Sequence, residues 1–306
     1  MARVMLLFMD GVGLGSDDPS QNPLAAASMP ALAALLGGRQ LVRSAAPYEG
    51  AQATLLAVDA CLGVEGLPQS ATGQAAILTG RNVPAQVGEH YGPKPNPAIA
   101  AIVRQNNLFL DVVRRGGTTA LLNAYPPRYF QGIESGRRLY SCIPLAATAA
   151  GLTLRSSEDL QRGLALSADF TGEGWSLQPG FPQAPVYSPA EAGARLAHLA
   201  GQVDLAWFDY WPSDYAGHHN DPEASLRLLE TFDGVLGGLA ETYGDRPDLV
   251  VITSDHGNLE DLERRGHTRN PVPALVIGPR DVRERFCQGL TDLTGFAPAI
   301  LRAIFE

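Results

Sequence analysis

The sequence predicts an α/β fold, a mostly parallel central sheet with helices on both faces, in a single domain over residues 1–306. Three observations lead there. Short apolar runs at Val4–Met9, 205–208 and Leu249–Thr253 have the uniform hydrophobicity of parallel strands covered on both faces. They alternate with stretches of helical period, the longest placing Leu226, Leu229, Phe232, Val235, Leu236 and Leu239 on one stripe. Each run is followed closely by Asp, Gly or His, residues that strand ends deliver to a site in such folds.

Taken in order, Val4–Met9 is broken by Asp10-Gly11, which sets Asp10 at the carboxyl end of the first strand; an ordinary Asp-Gly turn is the other reading. Ser28 is expected to cap a short helix over 29–36 that Gly37-Gly38 stops. In Leu67-Pro-Gln-Ser-Ala-Thr-Gly-Gln-Ala-Ala-Ile-Leu-Thr-Gly-Arg81, small and polar residues precede good helix formers. Ser70 or Thr72 therefore falls at a helix N-terminus, where the dipole and free N–H groups favour an anion; plain capping by either hydroxyl is the alternative.

A helix over 107–115, closed by Gly116-Gly117, and a strand over 118–123 follow. Residues from about 125 to 187 are rich in Gly, Pro and Ser and carry Arg128, Arg137 and Arg138; a small insertion or lid is expected there. Ser188-Pro189 opens a helix to about Ala200, the strand at 205–208 leads to Asp214 and His218, and Asp221-Pro222 opens the long helix that ends at Gly244. The strand at 249–253 leads to Asp255-His256, another strand covers 274–277, and Phe296–Phe305 closes the chain as a helix.

Composition narrows the function. The net charge is −9 and Lys94 is the only lysine, so a basic face for nucleic acid is excluded and any phosphate recognition falls to arginine or to metal. No segment approaches the ~20 apolar residues of a membrane span, and the short apolar run at the N-terminus ends in a carboxylate without a cleavage site. A cytoplasmic protein with no membrane partner is expected. Cys61, Cys142 and Cys287 are widely spaced, which suggests neither a disulfide framework nor a thiolate metal site.

Chemistry concentrates between 204 and 273. Asp214, His218, Asp255, His256 and His267 are five candidate metal ligands, too many for one tetrahedral centre and suited to two adjacent borderline divalent ions. With Asp10-Gly11, Ser70-x-x-Gly73, Asp214-x-x-x-His218, Asp255-His-Gly-Asn258 and His267-Thr-x-Asn-Pro-Val-Pro273, the chain resembles the alkaline phosphatase superfamily. Within it, the motifs are most similar to the branch of cofactor-independent phosphoglycerate mutase and phosphopentomutase. The resemblance implies Ser70 as nucleophile, with Thr72 as runner-up. It implies one ion held by Asp10, Asp255, His256 and the Ser70 oxygen, and a second by Asp214, His218 and His267, with Mn2+ or Zn2+ as the metal. Gln74 stands where that branch commonly has a histidine. Gln74, Arg81 and Arg128 are the candidate substrate-binding residues.

The expected function is a metal-dependent phosphohydrolase, monoesterase before diesterase, acting on a small phosphorylated substrate through a phosphoseryl intermediate. A phosphomutase acting on a sugar or sugar-acid phosphate is the alternative, and a non-catalytic metal-binding interaction module the third reading. A sulfatase is disfavoured because no C-x-P-x-R sequence is present.

Overall fold

A computed structural model describes residues 2–178, 180–181, 183–244 and 248–306. Its strands are β1 (Val4–Met9), β2 (Tyr48–Glu49), β3 (Ala53–Val58), β4 (Thr119–Leu121), β5 (Ala124–Tyr125), β6 (Arg155–Ser156), β7 (Leu205–Tyr210), β8 (Leu249–Thr253) and β9 (Val272–Ile277). Seven of them form one sheet in the order β2-β3-β9-β8-β1-β7-β4. β8, β1, β7 and β4 run parallel, as their apolar runs predict. β9 is inverted, antiparallel to both β8 and β3. Hydrophobicity alone cannot orient a strand, and this inversion matters: Thr253 at the end of β8 pairs with Ala274 near the start of β9. The chain that leads into β9 and carries His267 therefore reaches the rim where β8 delivers Asp255 and His256.

Along β1 the side chains alternate between two cores: Val4, Leu6 and Phe8 face one helical layer, Met5, Leu7 and Met9 the other. The first layer holds the helices Ser70–Thr79, Pro97–Gln105, Leu108–Arg114, Cys142–Ala149 and Phe296–Phe305. Trp207 of β7 is fully buried there, its ring 5.9 Å from Phe8 and 5.6 Å from Phe109. The second layer is built on Pro30–Leu35, Pro189–Ala200 and the long helix Pro222–Tyr243. The last two touch backbone to backbone: a Cβ at Gly193 would meet the Val235 carbonyl oxygen at 2.0 Å, and one at Gly238 the Ala190 oxygen at 2.1 Å.

Two local expectations are corrected. Met29, not Ser28, precedes the Pro30–Leu35 helix and makes no side-chain cap. The buried carboxylate of Asp233, two hundred residues on, accepts from the Ala31 and Leu32 N–H groups at 3.0 and 2.8 Å instead. The region 125–187 is likewise not one insertion. Its Cys142–Ala149 helix lies in the core against the Ser70–Thr79 helix, and Cys142 Sγ donates to the Ala71 carbonyl. Around it, β5 and β6 pair as a small parallel sheet, with short helices Pro127–Glu134, Ser157–Gln161 and Glu173–Ser176 beside the rim.

Candidate metal centre

The rim gathers the candidate ligands because each follows a parallel strand or precedes the inverted one. Asp10 ends β1, Asp255 and His256 follow β8, and His267 lies before β9. Asp214 and His218 sit one turn apart on the Pro212–His219 helix that β7 enters. Ser70 is the first residue of the Ser70–Thr79 helix.

His256 is the centre of this group. Its Nε2 is 3.0 Å from Ser70 Oγ, 3.4 Å from Asp10 Oδ1 and 3.7 Å from Asp255 Oδ2, and its ring stacks on His267 with centroids 3.7 Å apart. Next to it, His218 Nε2 lies 3.4 Å from Asp214 Oδ2 and 3.3 Å from His267 Nε2, with Asp214 Oδ1 3.8 Å from His267 Nε2. Two overlapping sets of donor atoms, both including His256, are compact enough to hold an ion: Asp10, Asp255 and His256, and Asp214, His256 and His267; His218 lies beside the second set and outside both. The structure thus brings the seven side chains into one contiguous cluster, with His256 within reach of both halves.

The donors suit divalent cations and suit little else. Among the described residues, no lysine or arginine forms an ion pair with Asp10, Asp214 or Asp255, and Asp10 Oδ1 is buried without a hydrogen-bond donor. Burial, then the neighbouring Asp255 and Asp214, pushes Asp10 well above the usual carboxylate range. Burial, then Asp214, pushes Asp255 up to about 7. Burial lowers His256, and burial followed by His256 itself lowers His267 to about 4. Carboxylates that need a counter-charge beside imidazoles held neutral make a donor set for a transition-type divalent ion.

Neutral groups brace the cluster. Gln74 Nε2 donates to Asp10 Oδ2 and Asp255 Oδ2, both at 3.2 Å. Asn258 Nδ2 donates to Asp214 Oδ1 at 2.7 Å, and Ser213 Oγ to the Asp10 carbonyl at 2.6 Å. Sequence reasoning missed the most connected brace, Glu260, because no motif or period marks it. Its buried carboxylate accepts from the Gly13 N–H at 2.9 Å, the Asn258 N–H at 2.8 Å, the Thr268 hydroxyl and Asn270 Nδ2 at 3.0 Å. It thereby ties the loops after β1 and β8 to the chain entering β9. Glu260→Ala orphans four donors and is expected to cost about 3 kcal/mol or more of unfolding free energy in a denaturant titration, Glu260→Gln clearly less.

The other predicted residues separate. The Thr72 hydroxyl is occupied: it donates to the Gln69 carbonyl at 3.1 Å and accepts from the Tyr91 N–H at 3.1 Å. Ser70 lines a cavity of about 490 Å3 at the rim, together with Asp10, Gln74, Asp214 and Arg128. Arg81 does not join them. It follows the far end of the Ser70–Thr79 helix, exposed and roughly 16 Å along the helix axis from Ser70. Gln74 lines the cavity; its Nε2 is engaged by the two carboxylates, while its Oε1 is buried without a hydrogen-bond partner among the described residues.

Comparison with known proteins agrees with this picture. A family profile described as the Metalloenzyme superfamily matches residues 190–304. The 2,3-bisphosphoglycerate-independent phosphoglycerate mutase of Desulforudis audaxviator is 34% identical over 133 residues, 39% of this chain and 26% of that protein. The same-named protein of Syntrophotalea carbinolica is 29% identical over 146 residues, 43% of this chain and 28% of that protein. The matches thus span about a quarter of those relatives. Among solved structures, the PH0037 protein from Pyrococcus horikoshii aligns over 90% of this chain and 85% of its own, at 16% identity and a TM-score of 0.53. The Leishmania mexicana phosphoglycerate mutase aligns over 100% and 96%, at 13% identity and 0.51. At these identities the structural likenesses speak to the fold. The chain is thus similar to the Metalloenzyme superfamily over residues 190–304 and, over about two fifths of its length, to 2,3-bisphosphoglycerate-independent phosphoglycerate mutases, and it shares the fold of a phosphoglycerate mutase.

Proposed function

We propose that this protein takes a phosphoryl group from a small phosphorylated metabolite onto Ser70 and returns it to a hydroxyl of the substrate, as a phosphomutase. The observation that carries the reading is Ser70 Oγ at a helix N-terminus, in the lining of the cavity, 3.0 Å from His256 Nε2 at the edge of the carboxylate cluster.

Asp10, Asp255, His256 and the Ser70 oxygen would hold one divalent cation, and Asp214, His218 and His267 a second. Bound there, such ions neutralise the phosphoryl oxygens and lower the pKa of the serine hydroxyl. The chain's own part is positional. The helix start fixes Ser70 Oγ and favours the incoming anion. Gln74 and Asn258 hold Asp10, Asp255 and Asp214 in place, and Arg128 adds positive charge to the cavity wall. Ser70 Oγ forms the new P–O bond as the ester P–O bond breaks. Ser70 Oγ gives up its proton in this step and the freed substrate oxygen takes one; a neighbouring substrate hydroxyl then loses its proton and attacks phosphorus, the Ser70 Oγ–P bond breaks, and Oγ regains a proton.

The relatives' shared name favours a substrate hydroxyl as acceptor over water, the reverse of the order reached from the sequence alone. One observation keeps hydrolysis as the second reading: the His218 side chain is 45% exposed, so water reaches the Asp214–His218–His267 side of the cluster. Phosphorus NMR of the manganese-loaded protein with sugar and sugar-acid phosphates separates the readings. A positional isomer without inorganic phosphate supports the mutase, whereas free phosphate supports the hydrolase. Two bound cations with no turnover of any phosphoester would leave only a binding module.

A further inference from the structure

Above Ser70, the cavity wall holds three polar side chains that the metal cluster does not use. Tyr125 at the end of β5, Tyr129 on the Pro127–Glu134 helix and Asp209 in β7 are 4%, 6% and 6% exposed, and all three line the cavity. Among the described residues, the hydroxyls of both tyrosines and Asp209 Oδ1, all buried, have no hydrogen-bond partner. One orphaned atom is unremarkable; three in one wall, from three elements, form a built polar surface, since each such group costs free energy unless something meets it.

Their placement is enforced. Asp209 alternates with Phe208 and Tyr210, whose rings enter the opposite core, so its side chain faces the Ser70 layer like that of Trp207. Its backbone is clamped at both ends by Asn123, which accepts from the Asp209 N–H and donates to the Asp209 carbonyl, each at 2.8 Å. Tyr125 and Tyr129 pack with ring centroids 4.4 Å apart, Trp211 stacks on Tyr125 at 6.3 Å, and the Arg138 guanidinium lies 4.7 Å from the Tyr129 ring. Rigid aromatic bodies thus hold polar tips toward the space beside the nucleophile.

Resting on the phosphoryl-transfer reading, we propose that Tyr125, Tyr129 and Asp209 form the subsite for the carbon skeleton of the phosphoester, and that this skeleton carries at least two free hydroxyls, as a sugar or polyol phosphate does. The chemistry of the wall selects that class. Phenol O–H groups both donate and accept, and burial pushes Asp209 up to about 8, so near neutral pH its carboxyl does the same. Hydroxyls satisfy all three. A hydrocarbon or plain aryl group would leave them desolvated and unmet, and an ammonium group would meet Arg128 and Arg138 on the same wall.

The test is calorimetric titration of the manganese-loaded Ser70→Ala protein, which binds without turnover, using inorganic phosphate, ethyl phosphate and ribose 5-phosphate. Ribose 5-phosphate is expected to bind at least about tenfold more tightly than ethyl phosphate, and Tyr129→Phe and Asp209→Asn are each expected to shrink that ratio about three- to tenfold. Tyr129→Phe keeps the ring, so it remains informative if Asp209→Asn melts early. Equal affinities for the two esters, or a ratio that survives both substitutions, would overturn the subsite while leaving the phosphate site standing. If inorganic phosphate and both esters all fail to bind, the phosphoryl-transfer reading falls and takes the subsite with it.

Discussion

Ser70→Ala is expected to reduce phosphoryl transfer by a factor of about 10^3 or more, because loss of the attacking oxygen leaves only binding and electrostatic contributions to rate. The size of the effect depends on whether another hydroxyl can stand in. Thr72, two residues on, is the nearest candidate, and its oxygen is already committed to the Gln69 carbonyl and the Tyr91 N–H. Moving it toward phosphorus would break both bonds inside the first helical turn. The fold should tolerate the substitution: Ser70 Oγ makes one hydrogen bond, to His256, worth about 1 kcal/mol. Cation binding should persist in the variant, since the carboxylates and imidazoles stay in place, with weaker affinity on the Asp10–Asp255–His256 side, where the serine oxygen is missing. A steady-state assay beside a metal titration reads both quantities. If Ser70→Ala kept its activity and Thr72→Val lost it, the nucleophile would be misassigned and the cavity chemistry would have to be redrawn around Thr72.

The residues that place this site were readable in the chain for a physical reason. Val4–Met9, 205–208 and 249–252 are apolar throughout because both faces are buried, and such strands must deliver the next polar residue to one rim. Asp10, Asp255 and His256 were therefore legible as a set. What escaped depended on partners far away in sequence. The inversion of β9 is decided by pairing with β3 and β8, Glu260 by donors from three loops, and the Pro30–Leu35 cap by Asp233. The Cys142–Ala149 helix was masked by its Pro- and Gly-rich surroundings, although its residues are almost uniformly apolar and buried. Tyr125, Tyr129 and Asp209 were invisible as a group, because only the folded chain brings their polar tips to one wall.

Divalent cations are expected to raise the melting temperature, and by a margin that widens between pH 6.5 and 8. The metal-free protein holds Asp255 at about 7 and Asp209 at about 8, against about 3.9 in an unfolded chain. A raised carboxyl contributes stability that is complete below its unfolded pKa and is lost as pH climbs through its folded one. His267, lowered to about 4 by burial, acts in the opposite sense, weakening the fold as pH drops below about 6.5. From about pH 4 to 6.5 the folded state carries the Asp255 proton and the unfolded state the histidine proton, so these two slopes oppose each other. Above 6.5 only the carboxyls remain, and the metal-free protein should lose on the order of 2 kcal/mol by pH 8. Bound cations would keep Asp10 and Asp255 ionised and remove their share of that penalty, leaving the share of Asp209, which lies outside the ligand set. At a hundredfold excess over Kd one site adds about 2.7 kcal/mol, which is on the order of 5 °C in a chain of this size. Binding at pH 7 must also expel protons, which calorimetry in buffers of different ionisation enthalpy would count. A metal-free melting temperature that is equal at pH 6.5 and 8, with no proton release on adding manganese or zinc, would mean that the converging carboxylates are not the buried acids drawn here, and the two-cation reading would lose its electrostatic basis.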